Sequence, residues 1–174
     1  MADMEWTGAR YADTPSVEAA IWIDAEPARV WSLVSDIALM PTLSSELQSV
    51  EWLDHAQGPA VGARFRGHNE HEALGSWSAT SYVIACDENR EFAWAVNDPD
   101  NPAASWRFVL SPRDGGTELS YSAQLGPGPS GLSLAIESMP DKEQKIVFVR
   151  LREFEAGISQ TISAIKRLAE HGAL

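Results

Sequence analysis

The sequence has little of three things that would point to a particular class of protein: cysteine, positive charge and long apolar runs. Cys86 is the only cysteine in 174 residues, which excludes an intrachain disulfide and a thiolate metal cluster. Lysine and arginine number 13 against 25 acidic residues, and the net charge of −12 argues against a nucleic-acid or anionic-membrane surface. No apolar run reaches the roughly 18 residues of a membrane span, and no signal-peptide pattern is present, so the predicted location is cytoplasmic.

The sequence also lacks the short motifs that mark common active sites. It contains no Gly-x-Ser-x-Gly, no phosphate-cradling glycine loop and no His-Glu-x-x-His. His68 and His71 stand close together, but on a strand their spacing sends the two side chains to opposite faces. We therefore predict no metal and no cofactor.

What is present fits one globular domain. With 174 residues, of which 44% are hydrophobic and 22% charged, the chain is long enough for a sizeable core. Residues 1–15 are interpreted as an N-terminal arm that carries two large aromatic side chains, Trp6 and Tyr11. We expect these two to pin the arm to a single domain over residues 16–174.

The strongest periodic signal lies near the C-terminal end. Between Pro140 and Glu170, apolar residues recur at steps of four and three, which places them on one face of a helix. This apolar stripe consists of Val147, Leu151, Phe154, Ile158, Ile162, Ile165 and Ala169. Ser138 and Asp141 have the spacing of a capping box, and Gly172 marks the stop. The pattern predicts one helix over residues 140–170, with Phe154 and Ile158 deeply buried.

The middle of the chain predicts an antiparallel sheet. A first strand over 17–23 is followed by two short helices, and six further strands separated by short turns then form a meander. Over residues 63–72, Phe65, Asn69 and His71 alternate with charged residues. Because the charged face is unsuited to a core, the Phe65 face is predicted to point inward. The chain is therefore α+β, with the C-terminal helix covering one side of the sheet.

One apolar surface at the start of the helix needs a partner. Residues 146–149 are all apolar and point in every direction around the helix axis. The turn-rich segment 126–139 offers Leu132, Leu134 and Ile136 as cover. If these residues supply it, the protein is a monomer with a lid; if they do not, the exposed surface predicts a homodimer interface.

Three stretches resemble the START-like superfamily, in its polyketide cyclase/dehydrase branch. They are residues 24–36 (Asp-Ala-Glu-Pro-Ala-Arg-Val-Trp-Ser-Leu-Val-Ser-Asp), residues 62–69 with Trp77 downstream, and residues 104–108. The resemblance implies the helix-grip fold, in which a curved antiparallel sheet of about seven strands wraps round the long C-terminal helix, with two short helices after the first strand. It also implies a ligand cavity between the sheet and that helix.

The inner faces of the sheet and helix then define the candidate ligand-binding residues. These are Phe65, Asn69, His71, Trp77, Ser81, Trp94, Trp106, Phe108, Tyr121, Leu151, Phe154 and Ile158. Small inner residues leave room among the aromatic ones; the alternative is a solid core in which small side chains fit between large ones. His71, near a strand end, is either a ligand contact or a rim residue. Arg150 flanks the apolar stripe and is expected to snorkel, or alternatively to reach an acidic group at the pocket mouth.

Two functions would suit such a cavity. The first is binding of a small hydrophobic or aromatic molecule without turnover. The second is a polyketide cyclase, aromatase or dehydratase activity, which would need mainly shape and a few polar groups rather than a sequence motif. Paired polar groups deep in the pocket, one with a shifted pKa, would favour the enzyme. An interaction module with a collapsed cavity is a third alternative.

Overall fold

Seven antiparallel strands form one curved sheet. The structure, a computed structural model, describes residues 5–172. The strands are β1 (Ser16–Ile23), β2 (Leu47–Trp52), β3 (Arg64–His71), β4 (Gly75–Asp87), β5 (Glu91–Val96), β6 (Ala104–Arg113) and β7 (Gly116–Leu125). They lie in the order β1-β7-β6-β5-β4-β3-β2, so β2 to β7 form a meander and β1 pairs with β7. The predicted α+β architecture is confirmed.

The α-helices of the described residues flank this sheet. They are α1 (Pro27–Val34), α2 (Met40–Leu43), α3 (Gly131–Ser138) and α4 (Glu143–His171). The first begins at Pro27, whose fixed φ suits the first helical position, and the second carries Pro41 in its first turn. The two short helices predicted after the first strand are thus confirmed. Within residues 5–172, no helix is both long and apolar enough to cross a membrane.

The longest helix, α4, packs its apolar stripe against the concave face of the sheet. Phe154 and Ile158 are 8% and 1% exposed, as predicted. The helix ends at His171, and Gly172, which follows it, adopts a left-handed conformation with φ of 73°. The predicted capping box at Ser138 is wrong, because α3 extends through Ser138 and the Ser138 hydroxyl donates instead to the carbonyl of Ala135 at 2.8 Å.

Residues 6–11, which precede β1, are fastened to the start of α4. The ring of Trp6 packs on Phe148 with 5.0 Å between the ring centroids. The backbone N–H of Tyr11 donates to the Glu143 carboxylate at 3.0 Å, and the Tyr11 hydroxyl donates to the carbonyl of Gly128 at 2.5 Å. This segment therefore covers part of the apolar surface with which α4 begins.

The segment between β7 and α4 covers another side of that surface. Leu132 and Ile136 of α3 are buried, whereas Leu134 is 64% exposed. The expectation that Leu134 contributes cover is wrong, because residues two apart on a helix point to nearly opposite sides. Val149 of α4 is 47% exposed. The choice between a lid and a homodimer interface stays a prediction.

Candidate functional site

A cavity of about 650 Å³ lies between the concave face of the sheet and α4. Its walls come from strands β3 to β7, from the α1–α2 region, from the start of α3 and from one face of α4. Sites for small molecules typically enclose roughly 300–1,000 Å³. The predicted cavity is present, and the alternative of a solid core is wrong.

Aromatic side chains form the sheet side of this cavity. Trp94 lies at their centre, with its ring centroid 5.9 to 6.5 Å from those of Phe65, Trp106, Phe108 and Tyr121. The rings of Phe108 and Tyr121 stack in parallel with 3.9 Å between centroids. Trp106 also meets Phe154 of α4 at 4.9 Å. Such a wall offers ring faces and edges to a planar apolar ligand.

Small residues on facing elements leave the space open. A Cβ atom added at Gly67 of β3 would come within 2.9 Å of the end of the Leu47 side chain. At Gly157 of α4, an added Cβ would meet nothing within 4 Å, and this glycine lines the cavity. A glycine inside a helix costs about 1 kcal/mol relative to alanine. Gly157 is therefore the sequence signal that marks which face of α4 looks into the cavity.

Several neutral polar groups on the cavity wall have no hydrogen-bond partner among the described residues, and three of them were predicted as site residues. They are the Asn69 amide, the Ser81 hydroxyl and the Tyr121 hydroxyl. No buried polar side-chain atom of the described residues is both sealed off and unpaired, so the two hydroxyls face open cavity space. Burial raises the pKa of the Tyr121 phenol far above its ordinary value. The phenol thus stays protonated and is available as a neutral donor.

One cation, Arg150, lies on the α4 side of the wall and is only 8% exposed. Its guanidinium donates to both carboxylate oxygens of Glu46, at 2.7 and 2.8 Å, and to Glu153 at 3.3 Å. It also covers the ring of Phe154 at 4.8 Å. Burial by itself lowers the pKa of Arg150, but the two carboxylates outweigh this effect and hold the pKa above its ordinary value. Of the two alternatives for Arg150, reaching an acidic group is the one observed.

His71 joins the end of β3 to α4 at the edge of the cavity. Its Nδ1 accepts hydrogen bonds from the backbone N–H groups of Ala73 and Leu74, at 2.9 and 3.1 Å. The proton of the neutral ring must therefore sit on Nε2, which lies 2.6 Å from a carboxylate oxygen of Glu153. His71 does not line the main cavity, so the structure favours the rim alternative for it.

Most of the predicted site residues lie on the cavity wall. Those that do are Phe65, Asn69, Trp77, Ser81, Trp94, Trp106, Phe108, Tyr121 and Phe154. Their predicted inward orientation is confirmed, while their contact with a ligand stays a prediction.

Two predicted residues of α4 lie off that wall. Leu151 and Ile158 are buried in the core beside the cavity, so their expected position on the wall needs correction. The reason is the rotation of α4 about its axis, since the cavity lies at the flank of the apolar stripe rather than under its centre. The α4 residues that line the cavity are Arg150, Glu153, Phe154, Gly157, Thr161 and Ile165. The charged and small members of this flank were absent from the residues predicted to bind ligand.

In the part of the chain that the structure describes, the side chains form neither a metal-binding cluster nor a setting that would activate the thiol. Over residues 5–172, no group of three or more His, Cys, Asp or Glu side chains is placed to hold a metal ion. Burial, followed by the charges of Asp87 and Glu88, raises the pKa of the Cys86 thiol. A raised thiol pKa disfavours the thiolate that nucleophilic chemistry would need.

A curved antiparallel sheet that holds a cavity against a long C-terminal helix defines the helix-grip fold, so the predicted fold is confirmed. A family model for "Polyketide cyclase / dehydrase and lipid transport" matches residues 14–152. The chain belongs to this family. The comparison with curated protein sequences gave no match.

Solved structures share the fold along most of the chain. A Polyketide_cyc-like protein from Corynebacterium glutamicum is 29% identical with a TM-score of 0.62, and the match covers 88% of this chain and 90% of that one. A protein from Deinococcus radiodurans is 20% identical with a TM-score of 0.61, over 91% and 99%. The Zhui aromatase/cyclase from Streptomyces sp. R1128 is 17% identical with a TM-score of 0.64, over 92% and 99%. The second and third of these structures are so distant in sequence that their similarity shows only a shared fold.

Proposed function

We propose that this protein binds a small hydrophobic or aromatic molecule in the cavity between the sheet and α4. The observation that carries the proposal is the cavity itself, about 650 Å³ in volume and walled by Trp77, Trp94, Trp106, Phe108 and Tyr121. Burying a planar apolar molecule against such a wall releases about 25 cal/mol for each Å² of apolar surface removed from water. A cytoplasmic location and a monomeric or homodimeric state remain predictions from the sequence.

The tryptophans allow a direct test. Trp77, Trp94 and Trp106 line the cavity, while Trp22 lies on the sheet beyond it and is 39% exposed. In a titration with a panel of aromatic polyketides, flavonoids and fatty acids, the members that bind should change tryptophan emission and raise the melting temperature, because a ligand of the native state stabilises it. The change in emission should shrink in Trp77→Phe and persist in Trp22→Phe. Unchanged emission and melting temperature across the panel would refute the proposal.

Turnover in the same cavity, as by a polyketide cyclase, aromatase or dehydratase, is the second candidate function. The observation that favours it is the unpaired, protonated hydroxyl of Tyr121 on the cavity wall, which also carries the hydroxyl of Ser81 on another strand. Hydroxyl donors of this kind can stabilise an enolate oxygen as it forms. Incubation with a linear poly-β-ketone and mass spectrometry for loss of water would detect it. In an enzyme, Tyr121→Phe should abolish product formation while probe binding persists; product formation by neither protein would leave binding as the function.

A further inference from the structure

The ionised side chains of the cavity wall carry a net negative charge. Among the described wall residues they are two carboxylates, Glu46 and Glu153, and one guanidinium, Arg150. The chain as a whole has a net charge of −12, which adds to the same potential. A ligand that brings another negative charge into this cavity meets no free cation there.

Arg150 would be the obvious receptor for a ligand carboxylate, but that position is taken. Glu46 occupies its guanidinium in the two-pronged arrangement that arginine forms with carboxylates, at 2.7 and 2.8 Å. Glu153 adds a third hydrogen bond at 3.3 Å, and the Phe154 ring covers one face of the guanidinium at 4.8 Å. A carboxylate of the protein thus stands where a ligand carboxylate would otherwise bind.

The placement of Glu46 does not depend on this ion pair alone. The Ser44 hydroxyl accepts hydrogen bonds from the backbone N–H groups of Glu46 and Leu47, both at 3.2 Å. The backbone carbonyl of Glu46 accepts a hydrogen bond from the backbone N–H of Glu70 in β3 at 2.9 Å. The backbone therefore presents the side chain at position 46 to Arg150 whether or not that side chain is charged.

We propose that the cavity selects neutral ligands that carry N–H or O–H donors and rejects carboxylates, and that Glu46 sets this preference. This inference rests on the proposed binding function. A ligand carboxylate would lose its hydration on entering the cavity and would gain no counter-charge there. Burying an unpaired charge in this way is strongly unfavourable. A neutral donor instead meets acceptors that the wall provides: the oxygens of Glu153, Asn69 and Ser81. Glu46 and not the arginine is then the specificity-determining residue.

Two probes of nearly the same shape test the inference: naphthalene-2-carboxamide and naphthalene-2-carboxylate, titrated at pH 7 by tryptophan emission and by calorimetry. The unaltered protein should bind the amide at least about tenfold more tightly, a ratio that corresponds to one charge left unpaired in a partly solvated site. In Glu46→Gln, the affinity for the carboxylate should rise about tenfold or more, because Arg150 gains a free bidentate face. Glu51→Gln removes the same charge from exposed β2, where Glu51 contacts His68, and should leave both affinities unchanged.

A double variant, Glu46→Gln with Arg150→Gln, guards against loss of folding, since it leaves no unpaired buried cation. It should keep the preference for the amide, because no guanidinium remains to take the carboxylate. Equal affinities of the two probes for the unaltered protein would overturn the inference and leave the binding function standing. A folded Glu46→Gln without improved carboxylate binding, or equal gain in Glu51→Gln, would also overturn it. If neither probe binds any of these proteins, the proposed function fails and the inference fails with it.

Discussion

The Nε2 atom of His71 lies 2.6 Å from a carboxylate oxygen of Glu153, and this contact ties the β3–β4 turn to α4. The other ring nitrogen, Nδ1, accepts hydrogen bonds from two backbone N–H groups of the same turn. One histidine therefore holds the turn in shape and fastens it to the helix at the edge of the cavity.

We expect His71→Leu to loosen the β3–β4 turn. The change leaves the N–H groups of Ala73 and Leu74 without their acceptor and should lower the free energy of unfolding by about 1–2 kcal/mol. Amide hydrogen exchange at these two residues should accelerate more than in the core strands, since local opening of the turn becomes easier. The control is His68→Leu on the outer face of the same strand, where His68 contacts Ser78 instead. Unchanged exchange at Ala73 and Leu74 would show that His71 does not hold the turn.

Gly157→Leu should obstruct the cavity without harming the fold. An added Cβ meets no atom within 4 Å, and Gly157 is both exposed and part of the cavity wall, so the new side chain stands where the cavity meets solvent. Replacing a mid-helix glycine should raise the free energy of unfolding by up to about 1 kcal/mol. Binding of aromatic probes, followed by tryptophan emission, should be lost. The exposed neighbour Ala156 provides the control, because Ala156→Leu lies off the cavity wall and should bind as before. Retained probe binding in Gly157→Leu would place the ligand elsewhere.

Two buried phenylalanines should differ in their cost of truncation because only one borders the cavity. Phe92 is fully buried away from the cavity wall, so Phe92→Ala should cost about 3–5 kcal/mol in free energy of unfolding. Phe154 already faces cavity space, so less packing is lost and Phe154→Ala should cost below about 3 kcal/mol. Urea unfolding of both variants measures the difference. Equal costs would mean that Phe154 is packed as tightly as the core.

Acid should weaken a link between α4 and the end of β1. The Glu170 carboxylate accepts hydrogen bonds from Lys166 Nζ at 2.6 Å and from the backbone N–H of Asp24 at 2.8 Å. These hydrogen bonds lower the pKa of Glu170 from its ordinary value of 4.5. Because the folded pKa is depressed, this stabilisation is present above about pH 4.5 and is lost as pH falls through the folded pKa. The free energy of unfolding should therefore fall more steeply on acidification than in Glu170→Gln. Glu137→Gln, at an exposed position of α3, should follow the unaltered protein, and identical pH profiles for all three would refute the link.

Periodic patterns in the sequence were enough to predict the elements and their inward faces. The alternation in β3 distinguished the Phe65 face from the charged face, and the apolar stripe predicted the burial of Phe154 and Ile158. Such patterns work because burial repeats with the period of the helix or strand itself. The capping box at Ser138 failed for a local reason, since α3 reached further than its sequence suggested and made Ser138 helical.

The character of the cavity was decided only by the tertiary structure. Arg150 meets Glu46 from 104 residues away, and His71 meets Glu153 from 82 residues away. The rotation of α4 on the sheet brings Gly157 and the charged flank to the cavity while it sends Leu151 and Ile158 into the core. The amino-acid sequence determines by itself which side chains avoid water, because that preference belongs to each residue and its own element. Which charges neutralise one another depends on distances between residues far apart in the chain, and these distances exist only once the helix lies on the sheet.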